Sequence, residues 1–177
     1  MPHRLAWIAC ALATTVLPGT TRTLNAHPAD HHIADSVARA LEQLPSYGVF
    51  DLLTFSIDHG TVTLEGYAYQ AGLVSEAVVA LERVAGVSHV ANKVQPLPIS
   101  AQDDWIRHAV FKHVYTDDFR ARYAIGGSYL IHIAVRNGHV TLAGVVHSDE
   151  DNEEALLRAR AVIGPFAVDN NLISLAH

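Results

Sequence analysis

The apolar positions of the chain follow two periods, and the periods come in the same order twice. From His32 to Leu44, the residues Ile33, Val37, Leu41 and Leu44 recur at four- and three-residue steps. That is the stripe of an amphipathic helix. Pro45 ends it, because proline lacks an amide proton and crowds the preceding turn. Residues 51–58 then alternate, with Leu53, Phe55 and Ile57 toward one face. Asp58-His59-Gly60 predicts a turn, and Thr61 to Tyr67 alternates again with Val62 and Leu64 inward. Two alternating runs around a glycine turn read as a hairpin. A second helix is expected from about Ala71 to Ala85, buried along Val74, Val78, Leu81 and Val84, with Gly86 as its stop. A third strand follows from Val87 to Gln95, with Val90 and Val94 inward. Pro96-Leu97-Pro98 is a stiff linker.

The order then repeats. Gly60-Thr61-Val62-Thr63-Leu64-Glu65-Gly66 returns as Gly138-His139-Val140-Thr141-Leu142-Ala143-Gly144. The same spacing pairs Gly86 with Gly164, Val90 with Val168 and Asn92 with Asn170. A first helix is predicted over Asp104 to Tyr115, with Ile106, Val110 and Val114 on its core stripe. Five extra residues then precede the first strand, around Thr116 to Ser128. The hairpin uses Ile131, Ile133 and Val135, then Val140 and Leu142, around Asn137-Gly138, a strong tight-turn signal. The second helix begins at Ser148, an N-cap followed by Asp149, Glu150 and Asp151, which suit the positive end of a helix dipole. Leu156, Ala159 and Val162 form its stripe, Gly164 its stop, and Phe166 to Ser174 the last strand. Glycines Gly66 and Gly144 fall on the inward series of their strands, where they let a helix or backbone approach closely.

The pattern predicts an α+β fold made of two tandem small α/β sandwich domains. Each runs helix-strand-strand-helix-strand, with a three-stranded mixed sheet covered on one face by two helices. The expected limits are 32–95 for the first domain, 96–102 for a linker and 103–175 for the second.

The first residues change the picture of where the chain works. Arg4 and an apolar run from Leu5 to Leu17, broken by Pro18-Gly19, have the layout of a secretory signal peptide over residues 1–26. A short tail, 27–31, follows. The run is shorter than the roughly 20 residues of a membrane span, so no transmembrane helix is expected in the mature chain. Cys10, the single cysteine, lies inside this segment. A mature chain would hold no disulfide, thiolate metal site or cysteine nucleophile. The formal charge of −6 argues against a nucleic-acid partner, whose binders carry a basic face.

The repeated strings resemble the BON domain: Gly60-x-Val62-x-Leu64-x-Gly66, Gly86-Val87 and Val90-x-Asn92-x-Val94, with Gly138, Val140, Leu142, Gly144, Gly164 and Val168-x-Asn170-x-Leu172 in the second copy. Pro165 departs from the pattern, which usually has Val after that glycine. The resemblance implies a non-enzymatic periplasmic or cell-envelope protein linked to osmotic or envelope stress. It implies partners that are phospholipid surfaces, anionic ones included, or envelope proteins. It attributes no catalysis and no cofactor to the module.

Within that frame the candidate site is the outer face of the first helix of the second copy. Trp105, His108, Phe111, Lys112 and Tyr115 fall opposite its core stripe, with Arg107 beside them. Tryptophan and tyrosine favour a membrane interface, and cations add attraction to anionic lipid. The resemblance also implies that this helix is the lipid-contacting one. Asp103, Asp104, Asp117 and Asp118 flank the patch and would repel an anionic surface. Histidines are a weaker candidate. His27, His31 and His32 cluster near Asp30 and Asp35, yet adjacent residues do not share a helix face, and His108 and His113 are poorly spaced for one metal. No metal site and no catalytic set is expected. Asn92 and Asn170 are read as structural, bonding backbone near the middle of the last strand of each copy.

Overall fold

A computed structural model describes residues 28–126, 128–163 and 168–175. The expected signal peptide, Gly164, Pro165 and the start of the last strand lie outside the described residues. The elements follow the predicted order: α1 (Pro28–Glu42), β1 (Leu52–Asp58), β2 (Thr61–Ala68), α2 (Leu73–Glu82) and β3 (His89–Pro96), then α3 (Ala101–Val114), α4 (Asp117–Tyr123), β4 (Ala124–Ile125), β5 (Ser128–Tyr129), β6 (Ile131–Arg136), β7 (His139–Val146), α5 (Asp149–Ile163) and β8 (Val168–Ser174). Two three-stranded sheets, ordered β1-β2-β3 and β6-β7-β8, carry the repeat. In the second, β6 and β7 pair antiparallel and β8 lies parallel to β7. The stretch around the five extra residues holds the short helix α4 and the two-stranded hairpin β4–β5.

The chain divides into two compact units, and the division does not follow the repeat. Unit 1 comprises residues up to Ser46, Leu53–Gly66 and Gly72–Val94. Its core is Val37 and Leu41 of α1, Leu53 and Phe55 of β1, Val62 and Leu64 of β2, and Leu73, Ala77 and Leu81 of α2. The α2 stripe keeps the expected Leu81 but otherwise runs through Leu73 and Ala77, one residue before the expected Val74 and Val78, which are only half-buried. Gly86 does not terminate α2, which is capped at Arg83. It lies in the loop beyond, at φ +92°, where a Cβ would stand 2.8 Å from Ile33 Cδ1. The Gly86 carbonyl would in turn lie 2.8 Å from a Cβ on Gly60, so these motif glycines let the hairpin turn and the post-helix loop close on each other.

Unit 2 comprises Gln95–His177 together with Tyr47–Leu52 and Tyr67–Ala71, two segments that belong by sequence to the first repeat. Val49 joins its apolar core with Ile106, Val110, Phe119, Ile133 and Leu142 among others. The Ile133 amide donates to the Val49 carbonyl at 2.8 Å, so this segment runs along the outer edge of β6. In α5 the core positions are Ala155 and Ala159, while Leu156 is half-buried and Leu157 exposed. Two small residues there let the helix lie close to the sheet.

The β6–β7 turn is held from below. Asn137 and Gly138 both have positive φ, 52° and 79°, as a two-residue hairpin turn of the right twist demands. Their amides donate to Oδ2 and Oδ1 of Asp103 at 2.9 and 2.8 Å. Asp103, expected to repel at the surface, is a buried anchor for this turn. Gly144 has φ +133° and pairs with Ile131; a Cβ there would lie 1.9 Å from the Leu130 carbonyl oxygen. The close approach at this glycine is to the neighbouring backbone, not to a helix. Gly66 holds a similar φ of +122° in unit 1.

Gly144→Ala is expected to lower the unfolding free energy by about 3 kcal/mol or more, because both conformation and space oppose it. Gly126→Ala, at φ +62° with open space around it, should cost only about 1 kcal/mol. Urea unfolding of the two variants checks the contrast.

Candidate functional site

Helix α3 starts at Ser100, whose hydroxyl accepts from the Asp103 amide. Its buried stripe is Ile106, Val110 and Val114, as expected. The structure sorts the six surface candidates into three groups. Trp105 is 61% exposed, and His108 and Lys112 are exposed with it. Lys112 makes no ion pair among the described residues. His108 Nδ1 sits 2.8 Å from the Asp104 carbonyl and donates to it.

Phe111 is half-buried. Its ring lies against Tyr129 of β5, Tyr115 and Phe50, at centroid distances of 5.7, 5.2 and 5.9 Å. Arg120 of α4 covers it at 5.7 Å. The hairpin β4–β5 and the segment from the first repeat therefore take most of this side chain.

Tyr115 and Arg107 do not belong to an outer face. Tyr115 is 3% exposed, and its hydroxyl donates to the Ile131 carbonyl and accepts from the Ile131 amide at 2.7 and 3.0 Å. Burial pushes its phenol well above the ordinary value. Arg107 is fully buried. It pairs with Asp104, donates to the Val135 carbonyl at 3.0 Å, and lies 4.5 Å from the Tyr69 ring centroid. Its Nε has no partner among the described residues. A helical wheel places Arg107 near the edge of the polar arc, but Tyr69 and Phe50 close over it, and nothing in the α3 pattern announces them.

Three of the four acids that flank the face are committed elsewhere. Asp103 holds the β6–β7 turn and Asp104 pairs with Arg107. Asp118 pairs with Arg122 and Arg158 at 3.4 and 3.2 Å. Hydrogen bonds from Thr116 and Arg158 hold its carboxyl well below the usual range. A second polar cluster, missed from sequence, fixes α4 against the start of α5. Tyr123 donates to Asp151 Oδ2 at 2.5 Å and accepts from the His147 amide at 3.0 Å, and Arg122 pairs with Asp151. The guanidiniums of Arg122 and Arg158 both stand over the Phe119 ring, at 4.6 and 4.3 Å from its centroid. Every charge in this cluster has a protein partner, so it reads as a clamp. Among the described residues no group of three or more His, Cys, Asp or Glu could hold a metal, and His32 of the histidine cluster is exposed on α1.

The segments from the first repeat bring polar groups of their own. Asp51 is buried; Oδ1 accepts from the Tyr69 amide at 2.6 Å and Oδ2 from the Gly48 amide at 2.9 Å. Burial pushes its carboxyl up, against these amides and Arg107, which pull it down. His132 of β6 stacks on Tyr47 at 4.7 Å and donates from Nδ1 to the Gly48 carbonyl at 3.1 Å. Burial pushes its imidazolium down to about 4.

The asparagines act on backbone. Asn92 Oδ1 accepts from the Val94 amide at 2.9 Å, and Asn170 Oδ1 from the Leu172 amide at 3.3 Å.

A family model for the BON domain matches residues 29–96 and, a second time, residues 102–175. The chain belongs to the BON domain family. The two BON matches follow the sequence repeat, whereas the second compact unit also takes in segments 47–52 and 67–71. No curated protein matches the chain. Among solved structures, two chains of CdsD, a structural protein of the type III secretion system of Chlamydia trachomatis, align with it. One is 12% identical, covering 82% of this chain and 93% of that one at a TM-score of 0.32. The other, its C-terminal domain, is 13% identical, covering 79% and 96% at 0.31. At these scores the likeness adds nothing to the assignment.

The native state binds fewer protons at His132 than the unfolded chain does, because its value is lowered from 6.5 to about 4. Its contribution, at most about 3 kcal/mol, is therefore present above pH 6.5 and lost as pH falls toward 4. Asp51 shifts the other way and gains stability over acid, so global unfolding mixes the two. A titration of the His132 ring by NMR, with its midpoint expected near 4, separates them; a midpoint above 6 would contradict burial as the force that sets it, since the bond to Gly48 favours the charged ring.

Proposed function

We propose that this BON protein is a non-enzymatic envelope module that rests unit 2 on an anionic phospholipid surface through the outer face of α3. The observation that carries the reading is Trp105, a large aromatic left 61% exposed on the same face of α3 as Lys112, which has no ion-pair partner among the described residues. An indole partitions to the membrane interface and a cation beside it attracts anionic headgroups. The committed state of Asp103, Asp104 and Asp118 supports the reading, since three of the four flanking acids no longer oppose such a surface. Arg107 and Tyr115 are not part of it: they hold the unit together behind the face. The family and the signal-like N-terminus support a periplasmic setting and a part in envelope integrity under osmotic or other stress. No helix among the described residues is long and apolar enough to cross a membrane, which suits attachment from one side.

A second reading, a protein-interaction or chaperone-like module, draws on the outer sheet face of unit 2. Val145 pairs with Ile173 and its amide donates to the Leu130 carbonyl. Leu130, Ile173 and Leu175 are all exposed there.

The lipid reading predicts that the full chain co-floats with vesicles of phosphatidylglycerol and phosphatidylcholine, and that added salt weakens it. Trp105→Ala with Lys112→Glu should reduce the bound fraction by about tenfold or more. Absence of flotation at low salt would sink the lipid reading and leave the sheet-face reading, which cross-linking of envelope partners then tests.

A further inference from the structure

The two units treat the outer edge of their last strand differently. β8 has β7 as its single neighbour in the sheet. The Leu175 amide donates to the Val146 carbonyl at 3.0 Å. Backbone groups alternate sides along a strand, so the amide and carbonyl of Leu172 point away from β7. Both are occupied by asparagines. Asn170 Oδ1 accepts from the Leu172 amide, and Asn152 Nδ2 donates to the Leu172 carbonyl at 3.0 Å. The two side chains are joined to each other, Asn170 Nδ2 donating to Asn152 Oδ1 at 2.6 Å. In unit 1 Asn92 takes the Val94 amide in the same way. The position on α2 that corresponds to Asn152 is Val74, and among the described residues no side chain reaches the Val94 carbonyl.

We infer that the Asn152–Asn170 couple is a lock that closes the β8 edge against a further strand, the strand it excludes being β8 of a second copy of this chain. An outer strand with free amides and carbonyls is a template for pairing between chains. The other edge of this sheet is already covered, since Val49 occupies β6 at Ile133. The couple thus acts at the edge of this sheet that no backbone covers among the described residues. Leu172 is its midpoint: the asparagines supply there the donor and the acceptor that an added strand would bring. The inference is independent of the lipid reading.

Hydrogen exchange and light scattering on the full chain test it. In the wild type the Leu172 amide should exchange slowly, although it faces away from β7, and the protein should be monomeric. In Asn152→Val with Asn170→Ala, that amide should exchange about tenfold or more faster in dilute solution. Raising the concentration should produce a dimer in which protection at Leu172 returns. A folded double variant that stays monomeric at every concentration overturns the lock, as does rapid Leu172 exchange in the wild type. Should the double variant unfold, Asn152→Val alone decides, since it places unit 1's residue at that position. That variant frees the Leu172 carbonyl: a dimer that forms as concentration rises, with an unchanged unfolding midpoint, supports the lock, and a monomer at every concentration overturns it.

Discussion

Unit 2 is built around a cation that has no access to water. A guanidinium placed fully inside a protein is tolerated only where charge and donors are met. Arg107 is met on three sides, by Asp104, by the Val135 carbonyl and by the face of Tyr69. Two of these partners belong to the second repeat, and Tyr69 belongs to the first. Asp51 adds negative charge nearby, and it is itself held by the amides of Tyr69, Gln70 and Gly48. The segments 47–52 and 67–71 are therefore not decoration on a finished domain. They close over a charge that would otherwise make the helix α3 costly to bury. This explains why the compact unit and the sequence repeat have different limits.

The same segments solve a second problem of a three-stranded sheet. Each such sheet has two outer edges, and both invite pairing. In unit 2 one edge is covered by backbone, Val49 against Ile133, and the other by asparagine side chains on Leu172. Unit 1 has an asparagine at the matching strand position but a valine where the second asparagine would stand. The repeat therefore keeps the first half of the device in both copies and completes it in one.

The order of elements was legible in the sequence because period and punctuation agree. Alternation at Leu53, Phe55, Val62 and Leu64, the Asn137-Gly138 turn and Ser148 before its acids each act locally, and local signals survive folding. What was not legible depends on partners distant in sequence. Tyr115 lies on the polar side of the α3 wheel and Arg107 at the margin of its core stripe, yet Phe50, Tyr69 and the Ile131 backbone bury them. Asp103 reads as a surface acid, yet two turn amides more than thirty residues away claim it. Gly86 reads as a helix stop, yet it is needed for the approach of Ile33 and Gly60. The α4–β4–β5 insertion carries no long period at all, since a seven-residue helix and two-residue strands are too short to show one.

The burial of Arg107 and Tyr115 narrows the candidate face. A face that kept Arg107, Tyr115 and four free acids would be large but electrostatically mixed. With Arg107 and Tyr115 withdrawn and three of the acids bound, the exposed part of α3 is a smaller surface of Trp105, His108 and Lys112. Its support is stiff: Phe111 is wedged among Phe50, Tyr115 and Tyr129, and α4 is clamped to α5 through Asp118, Arg158, Arg122 and Asp151. A rigid backing matters for an indole held in the open. Trp105 loses little conformational freedom on meeting an interface when the helix beneath it is already fixed. The buried charge that recruits segments of the first repeat thus also holds the helix that carries the exposed aromatic.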